Sequence, residues 1–529
     1  MNLEWWLERT AREHPDNEAL VHVASGERVT YADLAERVDR LGASLREDLG
    51  VRPGEVVATI MPDDPAHVSL LFAAMKVGAV FSGYNRMLAV GKWTQDAERS
   101  RVRTLVVGAE YEQAGREIAE RVSSVEQVVV VDQIVSAAQD RGESVRVEPR
   151  LNRELAAVNF TGGSSGVAKG VMFTHGTLGA SAQASLLYDG LTSRDKNLSF
   201  ISLYHSGGIH DAVKLAMAGA CNVLTGGWTS DLAVRLIREE HPSWIYFIVA
   251  TMARDLMRHP EWDSLDLTGI HTHMSGEVVP AEVQQAWKDK GARPMNAYGL
   301  TETMPIAVTK TSFVCGDDLD EPLGCSSRPI RDLCEVVLKD PETGEIITAP
   351  GVRGEICVRG DNVTPGYHND PERTAAAFDE EGFLHTRDLA QLDEGGWFWI
   401  AGRTDDIINT GGEKLSLLEV EEALRRHPLV VDVACMGVPH ERFGEMPSAL
   451  VVTDREISEE DLAAILDAHC IAEIERWKRP RLYGRVEEIP RTFPKRTKDL
   501  QAIRARFEGV ALAEGEGIAT LSAKRGQLS

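Results

Sequence analysis

The chain has no Cys-x-x-Cys pair. Its seven cysteines (Cys221, Cys315, Cys325, Cys334, Cys357, Cys435 and Cys470) are scattered and odd in number. That spacing argues against a zinc cluster or a disulfide framework and fits a reducing cytoplasm, with most thiols acting as small buried hydrophobes. Positive charge is also scarce: 57 Lys and Arg against 82 Asp and Glu leave a net charge of -25. Such a surface repels phosphate backbones, so nucleic acid is not the expected partner, and any anion site must be built locally against the overall field. Long apolar runs are missing. The stretches 66–84 and 244–257 carry Lys76, or Arg254 and Asp255, so neither reads as a membrane span. The opening MNLEWWLERTAREHPD lacks the basic-then-apolar pattern of a secretory signal. No internal repeat is evident.

What is there suits a soluble, multi-domain protein. At about 150 residues per domain, 529 residues imply several units. A chain of this size, 43% hydrophobic, can bury most of its apolar surface without covalent staples. Residues 56–60 (VVATI) read as a buried strand, followed by a helix through Leu70, Leu71, Ala74 and Met75. Further apolar runs at 104–107 and 128–131 bracket a polar helical stretch, which suggests βαβ units around a mostly parallel sheet. Residues 133–153 read as an irregular connection into a strand at 156–160. Residues 335–359 alternate around Pro341, Gly344, Pro350 and Gly354, a hairpin pattern. Near 402–406 the composition marks a boundary. Beyond it, Ser416 and Glu419 predict a capping box, and Leu417, Val420 and Leu424 share a helical face closed by His427-Pro428. VVDVACMGV and ALVVT read as strands of a small α+β unit. After Phe507 the tail is small, polar and aperiodic, and is expected to be poorly ordered.

Three segments carry chemistry. TGGSSGVAKG (161–170) follows an apolar strand. Its glycines let backbone N–H groups turn toward an anion, Thr161, Ser164 and Ser165 add donors, and Lys169 adds a positive point charge. It has neither the G-x-x-x-x-G-K-[ST] nor the G-x-G-x-x-G spacing. In NAYGLTET, Tyr298 offers a face for a base and Asn296 offers amide donors and acceptors. Thr301 can donate to a phosphate, and Glu302 is a hard oxygen ligand suited to Mg²⁺. Asp388 in GFLHTRDLA and Arg403 in WIAGRTDD can take ribose hydroxyls and add a fixed fork of donors. Taken singly, each segment also fits a plain loop, a surface turn or an unrelated charge pair.

Taken in this order, the segments resemble the adenylate-forming superfamily of acyl-CoA synthetases, carrier-adenylating domains and luciferases. The resemblance runs from Val29-Thr30-Tyr31-Ala32-Asp33-Leu34 to about residue 507. It implies an α/β fold. A large N-terminal domain (1–402) would combine mostly parallel sheets with a distorted β-barrel. A small mobile α+β lid (403–507) would follow, and then the tail (508–529). The family's usual T-S-G-[ST]-T-G-x-P-K-G is matched with Gly162, Ser165 and Ala168 at the Ser, Thr and Pro positions, so the donors survive and one rigid residue is lost.

By resemblance, the nucleotide contacts are Thr161, Gly163, Ser164, Ser165, Gly166 and Lys169, with Gly276, Glu277, Asn296, Ala297, Tyr298, Gly299, Thr301, Asp388 and Arg403. Glu277 is unusual at its position. SLYHSGG (202–208) resembles the P-x-x-H-x-x-G region and places Tyr204, His205, Gly207 and Gly299 at the acid, with a core histidine as the alternative for His205. The wider pocket would draw on 244–252 and 298–306. Glu302 is the metal ligand. Arg387 stands where the family usually has Gly and is expected to face water. Asp405 matches the hinge, and Gly411 and Gly412 match the turn lining the pantetheine tunnel. The family's closing P-R-T-x-x-G-K is altered: Arg496 occupies the lysine position and Lys495 the glycine position, so Lys495, Arg496 and Lys498 are the candidate C-terminal cations beside Lys169, Thr301 and Glu302 in catalysis.

The implied activity is ATP- and Mg²⁺-dependent activation of a carboxylic acid, aromatic or medium acyl, as its acyl-AMP, then transfer to CoA. A carrier protein as acceptor, or nitrite adenylated for reaction with an aromatic amine, are the alternatives. The implied setting is cytoplasmic, with no membrane span, no nucleic acid, and a homodimer left open.

Overall fold

The computed structural model describes residues 3–139, 150–161, 168–276, 279–308, 321–404, 407–410, 413–492, 498–513 and 517–528. Packing divides the chain into two compact units. The first is Met1–Val336 with Cys357–His385, and the second is Val337–Ile356 with Thr386–Ser529. The second unit therefore begins before residue 403 and also takes an excursion from the middle of the chain.

Two sheets organise the first unit. One has the strand order Gln127–Val130, Thr104–Val107, Val56–Ile60, Val80–Gly83, Leu155–Thr161, Lys169–Thr174, and is parallel except for its last pair. All five residues of Val56–Ile60 are buried, as a parallel strand covered on both faces requires. Helix Pro65–Val77 follows. It is capped by Asp64, whose carboxylate accepts from His67 N–H at 2.8 Å, and it is ended by Gly78 at φ 75. The other sheet is parallel through Glu18–His22, Cys221–Leu224, Lys196–Ser199, Trp244–Ile248, His271–Met274 and the start of Arg293–Leu300. Antiparallel strands flank it at both edges.

In the second unit, strands Glu413–Ser416, Ile407–Thr410, Gly444–Thr453, Leu482–Arg485 and Ala519–Thr520 form a sheet in that order, and Val430–His440 also pairs with Gly444–Thr453. Helix Leu417–Arg425 buries Leu417, Val420 and Leu424, as the sequence predicts. Each such side chain contributes about 1.5–3 kcal/mol. The expected capping box does not form. The Ser416 hydroxyl makes no cap bond and instead donates to the Ala401 carbonyl at 2.8 Å, while Glu419 pairs with Lys478. The tail also departs from expectation. Ala519–Thr520 adds a parallel strand beside Leu482–Arg485, helix Leu521–Leu528 follows, and Val510, Leu512 and Leu521 join a buried cluster.

The hairpins read at 335–359 are present as Cys334–Lys339, Ile346–Ile347 and Gly354–Gly360, in a five-stranded sheet continued by Leu384–Leu392 and Phe398–Arg403. Its outer strands do not pair with each other, so among the described residues this sheet stays open and the expected barrel is not seen. The described cysteines are all buried and free. No described helix is long and apolar enough to cross a membrane.

Candidate active site

Open α/β sheets bind ligands beyond the carboxyl ends of their parallel strands. Strand Arg293–Leu300 runs parallel to His271–Met274 as far as Asn296. From Ala297 onward it pairs antiparallel with Met304–Val308. The segment Asn296–Glu302 thus projects past the carboxyl end of its parallel neighbour. Gly276 follows the end of His271–Met274 at φ 86, and the 202–205 loop follows the end of Lys196–Ser199.

Thr161 and Lys169 are Cα partners, the last pair of an antiparallel ladder between Leu155–Thr161 and Lys169–Thr174. Of the glycine-rich segment, Gly163, Ser164, Ser165 and Gly166 lie outside the described residues, as do Glu277, Asp405, Gly411, Gly412, Lys495 and Arg496. Lys169 Nζ stands 5.0 Å from the ring centroid of Tyr367, a cation–π distance. The Tyr367 hydroxyl donates to Glu302 Oε1 at 2.9 Å. The Glu302 carbonyl accepts from Thr364 N–H at 2.7 Å, and Asn362 Nδ2 donates to the Thr303 carbonyl at 2.7 Å. Residues 362–368 thereby lace the Thr301–Thr303 turn to the strand that begins at Lys169. Sequence reading missed Tyr367. Its only signal was an aromatic after Pro-Gly in the polar stretch NVTPGYHND.

Asn296 is buried. Its Nδ2 donates to the Cys325 carbonyl, and its Oδ1 has no hydrogen-bond partner among the described residues. A buried acceptor left open costs about 1–3 kcal/mol, so the position favours a donor from a ligand such as a base's amino group. Ala297 and Tyr298 are half-buried, and Gly299 is exposed. Thr301 is buried and accepts from the Ser206 hydroxyl at 3.5 Å, which ties the motif to the start of helix Ser206–Ala218.

His205 caps that helix, its Nδ1 accepting from Gly207 N–H at 3.0 Å, and its ring lies 5.3 Å from that of Phe247. Phe247 is held at φ 63, where a β-bulge interrupts strand Trp244–Ile248. Bulges re-aim side chains in this way. The Tyr204 carbonyl accepts from Asn159 Nδ2 at 2.9 Å, and Leu203 N–H donates to Asp63 Oδ1 at 3.0 Å. Burial alone would raise the Asp63 carboxyl, but His67, Ser202 and the Leu203 N–H together hold it below the usual range. The 202–205 loop is therefore held by Asp63 and Asn159.

In the second unit Asp388 and Arg403 are Cα partners on adjacent antiparallel strands, and the guanidinium donates to Asp388 Oδ1. Arg387 is exposed, as expected, and sits at φ 62 with its N–H on Glu355 Oε1 at 2.8 Å. The left-handed region costs a non-glycine residue about 1–2 kcal/mol, against about 0.5–1 kcal/mol of extra chain entropy for glycine. Arg387→Gly is therefore expected to stabilise the second unit by about 0.5–1 kcal/mol in urea titrations.

Lys498 is not placed as a reacting group. Its ammonium is paired with the buried Glu421, which also holds Arg425 at 3.1 Å and accepts from Cys435 N–H at 2.8 Å. Residues Arg491 and Lys498 are bridged backbone to backbone, and Arg491 pairs with Asp432 at 2.7 Å. These contacts pin both ends of the segment that carries Lys495 and Arg496. A separate groove of about 540 Å³ near His22, Arg37 and Arg40 shares none of the sequence-predicted site residues, so the chemistry is assigned away from it.

The profile of the AMP-binding enzyme family matches residues 7–368, and that of the AMP-binding enzyme C-terminal domain matches 419–494. The chain is similar to a feruloyl-CoA synthase of Amycolatopsis sp, 32% identical over 84% of this chain and 88% of that protein. It is also similar to a 2-succinylbenzoate–CoA ligase of Bacillus pumilus, 29% identical over 95% and 98% of the two chains. Among solved structures it resembles the o-succinylbenzoate CoA synthetase of Bacillus subtilis in complex with an acyl-adenylate intermediate, with TM-score 0.82 and 25% identity over 96% and 98% of the chains.

Proposed function

The chain belongs to the AMP-binding enzyme family, and on that premise we propose that it is an ATP-dependent, AMP-forming acid–CoA ligase. The observation that carries this reading is the junction of Lys169, Tyr367 and Glu302, where a phosphate-loop cation and a carboxylate are held by one tyrosine.

In the first half-reaction a carboxylate oxygen of the acid attacks the α-phosphorus of ATP, and the bond to pyrophosphate breaks. Two anions must meet, so the site has to cancel their repulsion rather than supply a nucleophile. In the proposed assignment Lys169, Thr161 and the glycine-rich segment hold phosphate oxygens. Tyr298 faces the base, Asn296 takes its amino donor, and Asp388 and Arg403 take the ribose. The donor set fits Mg²⁺: Glu302 would hold it through a hard carboxylate oxygen whose orientation Tyr367 fixes, and the ion, when bound, supplies charge neutralisation. In the second half-reaction the CoA thiolate attacks the acyl carbon and AMP leaves. Residues 403–507, hinged at Asp405, with Gly411 and Gly412 beside the pantetheine, serve that exchange in this proposal. Buried free thiols support a cytoplasmic setting.

Purified protein with ATP, Mg²⁺ and a panel of carboxylic acids is expected to release pyrophosphate only when acid is present. Release with no acid in a broad panel would remove the reading.

With Lys498 bound to Glu421, the C-terminal cation falls to Lys495 or Arg496. Lys498→Gln is expected to lower stability by about 1–3 kcal/mol, less than a fully buried pair because the lysine is partly exposed and Arg425 remains on Glu421. Of Lys495→Ala and Arg496→Ala, one is expected to slow pyrophosphate release by about 10²-fold with an unchanged unfolding midpoint. The reverse pattern, rate loss in the Lys498 variant and stability loss in the other two, would reassign the cation to Lys498.

A further inference from the structure

Helix Val90–Ser100 ends beside the strand that begins at Lys169. Its last turn is anchored in the core. The Ser100 hydroxyl lies 2.6 Å from the Tyr84 hydroxyl, and the Tyr84 ring meets Phe160 edge-on at 5.9 Å, one residue before Thr161. Arg101 then stops the helix in the left-handed region at φ 51. Carbonyls in a last helical turn lack partners within the helix. Here two of them are taken by a distant segment. Asn369 Nδ2 donates to the Arg99 carbonyl at 2.9 Å, and His368 Nε2 donates to the Ser100 carbonyl at 3.3 Å. The same segment reaches the strand: His368 N–H donates to the Gly170 carbonyl at 2.7 Å, and Val171 bridges Tyr367. Helix end, strand and segment therefore meet at one junction.

The Arg99 side chain makes the remaining link. Its guanidinium donates through Nη1 to the Ala168 carbonyl at 2.5 Å. A peptide unit is planar, so holding the Ala168 oxygen also sets the direction of the Lys169 N–H and Cα that share its plane. On the far side of Lys169 the Gly170 carbonyl is held by His368, and Lys169 itself closes the ladder opposite Thr161. The lysine's backbone is thus held through both neighbouring carbonyls. A proline at 168 would constrain this stem from within, by locking φ. Alanine does not, and the bond from Arg99 supplies a constraint from outside. Its donor is charged, which makes it stronger than a bond between neutral groups. The hold matters because a misplacement of about 1 Å can cost about 10²-fold in rate.

We propose that Arg99 is a positioning residue for Lys169: the bond from its guanidinium to the Ala168 carbonyl fixes the 168–169 peptide and so aims the lysine at the phosphates of the nucleotide. The proposal rests on the ligase reading above and on its assignment of Lys169. Arg99 itself touches neither substrate in this account. Its loss is therefore felt in the use of ATP and not in the use of the acid, and only while Lys169 is present.

The test is a double-mutant cycle read by acid-dependent pyrophosphate release, with ATP and acid varied separately. Arg99→Met keeps an aliphatic stem and removes the donor and the charge. It is expected to lower kcat/KM for ATP by about tenfold and to move KM for the acid by less than about threefold. Lys169→Met is expected to lower kcat/KM for ATP by about 10²-fold. In the double variant the further loss should stay within about twofold of Lys169→Met, because Arg99 acts through the missing lysine. Equal losses from Arg99→Met with and without Lys169 would overturn the proposal, since a general structural role gives that pattern. So would an Arg99→Met enzyme within about threefold of wild type, a KM for the acid that rises as far as that for ATP, or an unimpaired Lys169→Met enzyme. If Arg99→Met does not fold, Asn369→Gly takes its place in the cycle. It removes the donor to the Arg99 carbonyl, and its φ of 54 suits glycine. A loss of about threefold or more with Lys169 present, and none without it, is then expected; no loss in either background would contradict the proposal. Wild-type protein that releases pyrophosphate with none of a broad panel of acids would instead remove the ligase reading, and this proposal with it.

Discussion

In Glu302→Gln, acid-dependent pyrophosphate release is expected to fall by about 10²- to 10³-fold in kcat/KM, the usual cost of removing one pre-organised electrostatic group. That is about 2.7–4 kcal/mol of transition-state stabilisation. The substitution is close to isosteric. Gln can still accept from the Tyr367 hydroxyl, and the backbone carbonyl still accepts from Thr364 N–H. What is lost is the negative charge that would hold Mg²⁺, so the unfolding midpoint should not move. Tyr367→Phe removes only the group that orients the carboxylate, and a smaller loss of about tenfold is expected, with a raised Mg²⁺ requirement. A Glu302→Gln enzyme within threefold of the parent would mean that this carboxylate does not serve the reaction.

Gly208→Ala is expected to cost more than about 3 kcal/mol of stability, beyond the usual range for overpacking, because the obstacle is backbone. A Cβ there would lie 2.2 Å from the Ser202 carbonyl oxygen and 2.9 Å from Leu203 N. The 202–205 loop could yield only by breaking its bonds to Asp63 and Asn159. Gly207→Ala is the informative partner. Its Cβ would meet the flexible end of Ile201 at 2.9 Å, which can move, and would otherwise intrude beside Phe247. That variant should fold and show a raised KM for the acid with little change in KM for ATP. Chemical denaturation separates the two, and Gly91→Ala, with open space around its Cβ, is the neutral control. Equal stability of the two adjacent variants would contradict the placement of this loop.

The sheet strands were legible because parallel strands are buried on both faces and read as unbroken apolar runs, as in VVATI. The NAYGLTE segment stood out in the sequence because its residue types are local. Failures arose where a distant acceptor or strand decided the outcome. Ser416 has the local pattern of a cap, yet the Ala401 carbonyl competes for its hydroxyl. Tyr367 is 65 positions from the carboxylate it orients, so no window of sequence shows the pair. The tail buries Val510, Leu512 and Leu521 through contacts with Leu482–Arg485 and its neighbours, and a two-residue strand has no period to read. Arg387 at the family's usual glycine position was visible as a departure, but its left-handed backbone was not.

The central claim is that the acid's own carboxylate oxygen attacks the α-phosphorus of ATP. It is tested most directly by ¹⁸O transfer. An acid labelled in its carboxylate is converted in the presence of ATP, Mg²⁺ and CoA, and the nucleotide product is weighed by mass spectrometry. One labelled oxygen in AMP, with unlabelled pyrophosphate, is the predicted result. Label in inorganic phosphate with ADP as the nucleotide, or AMP without label, would contradict it.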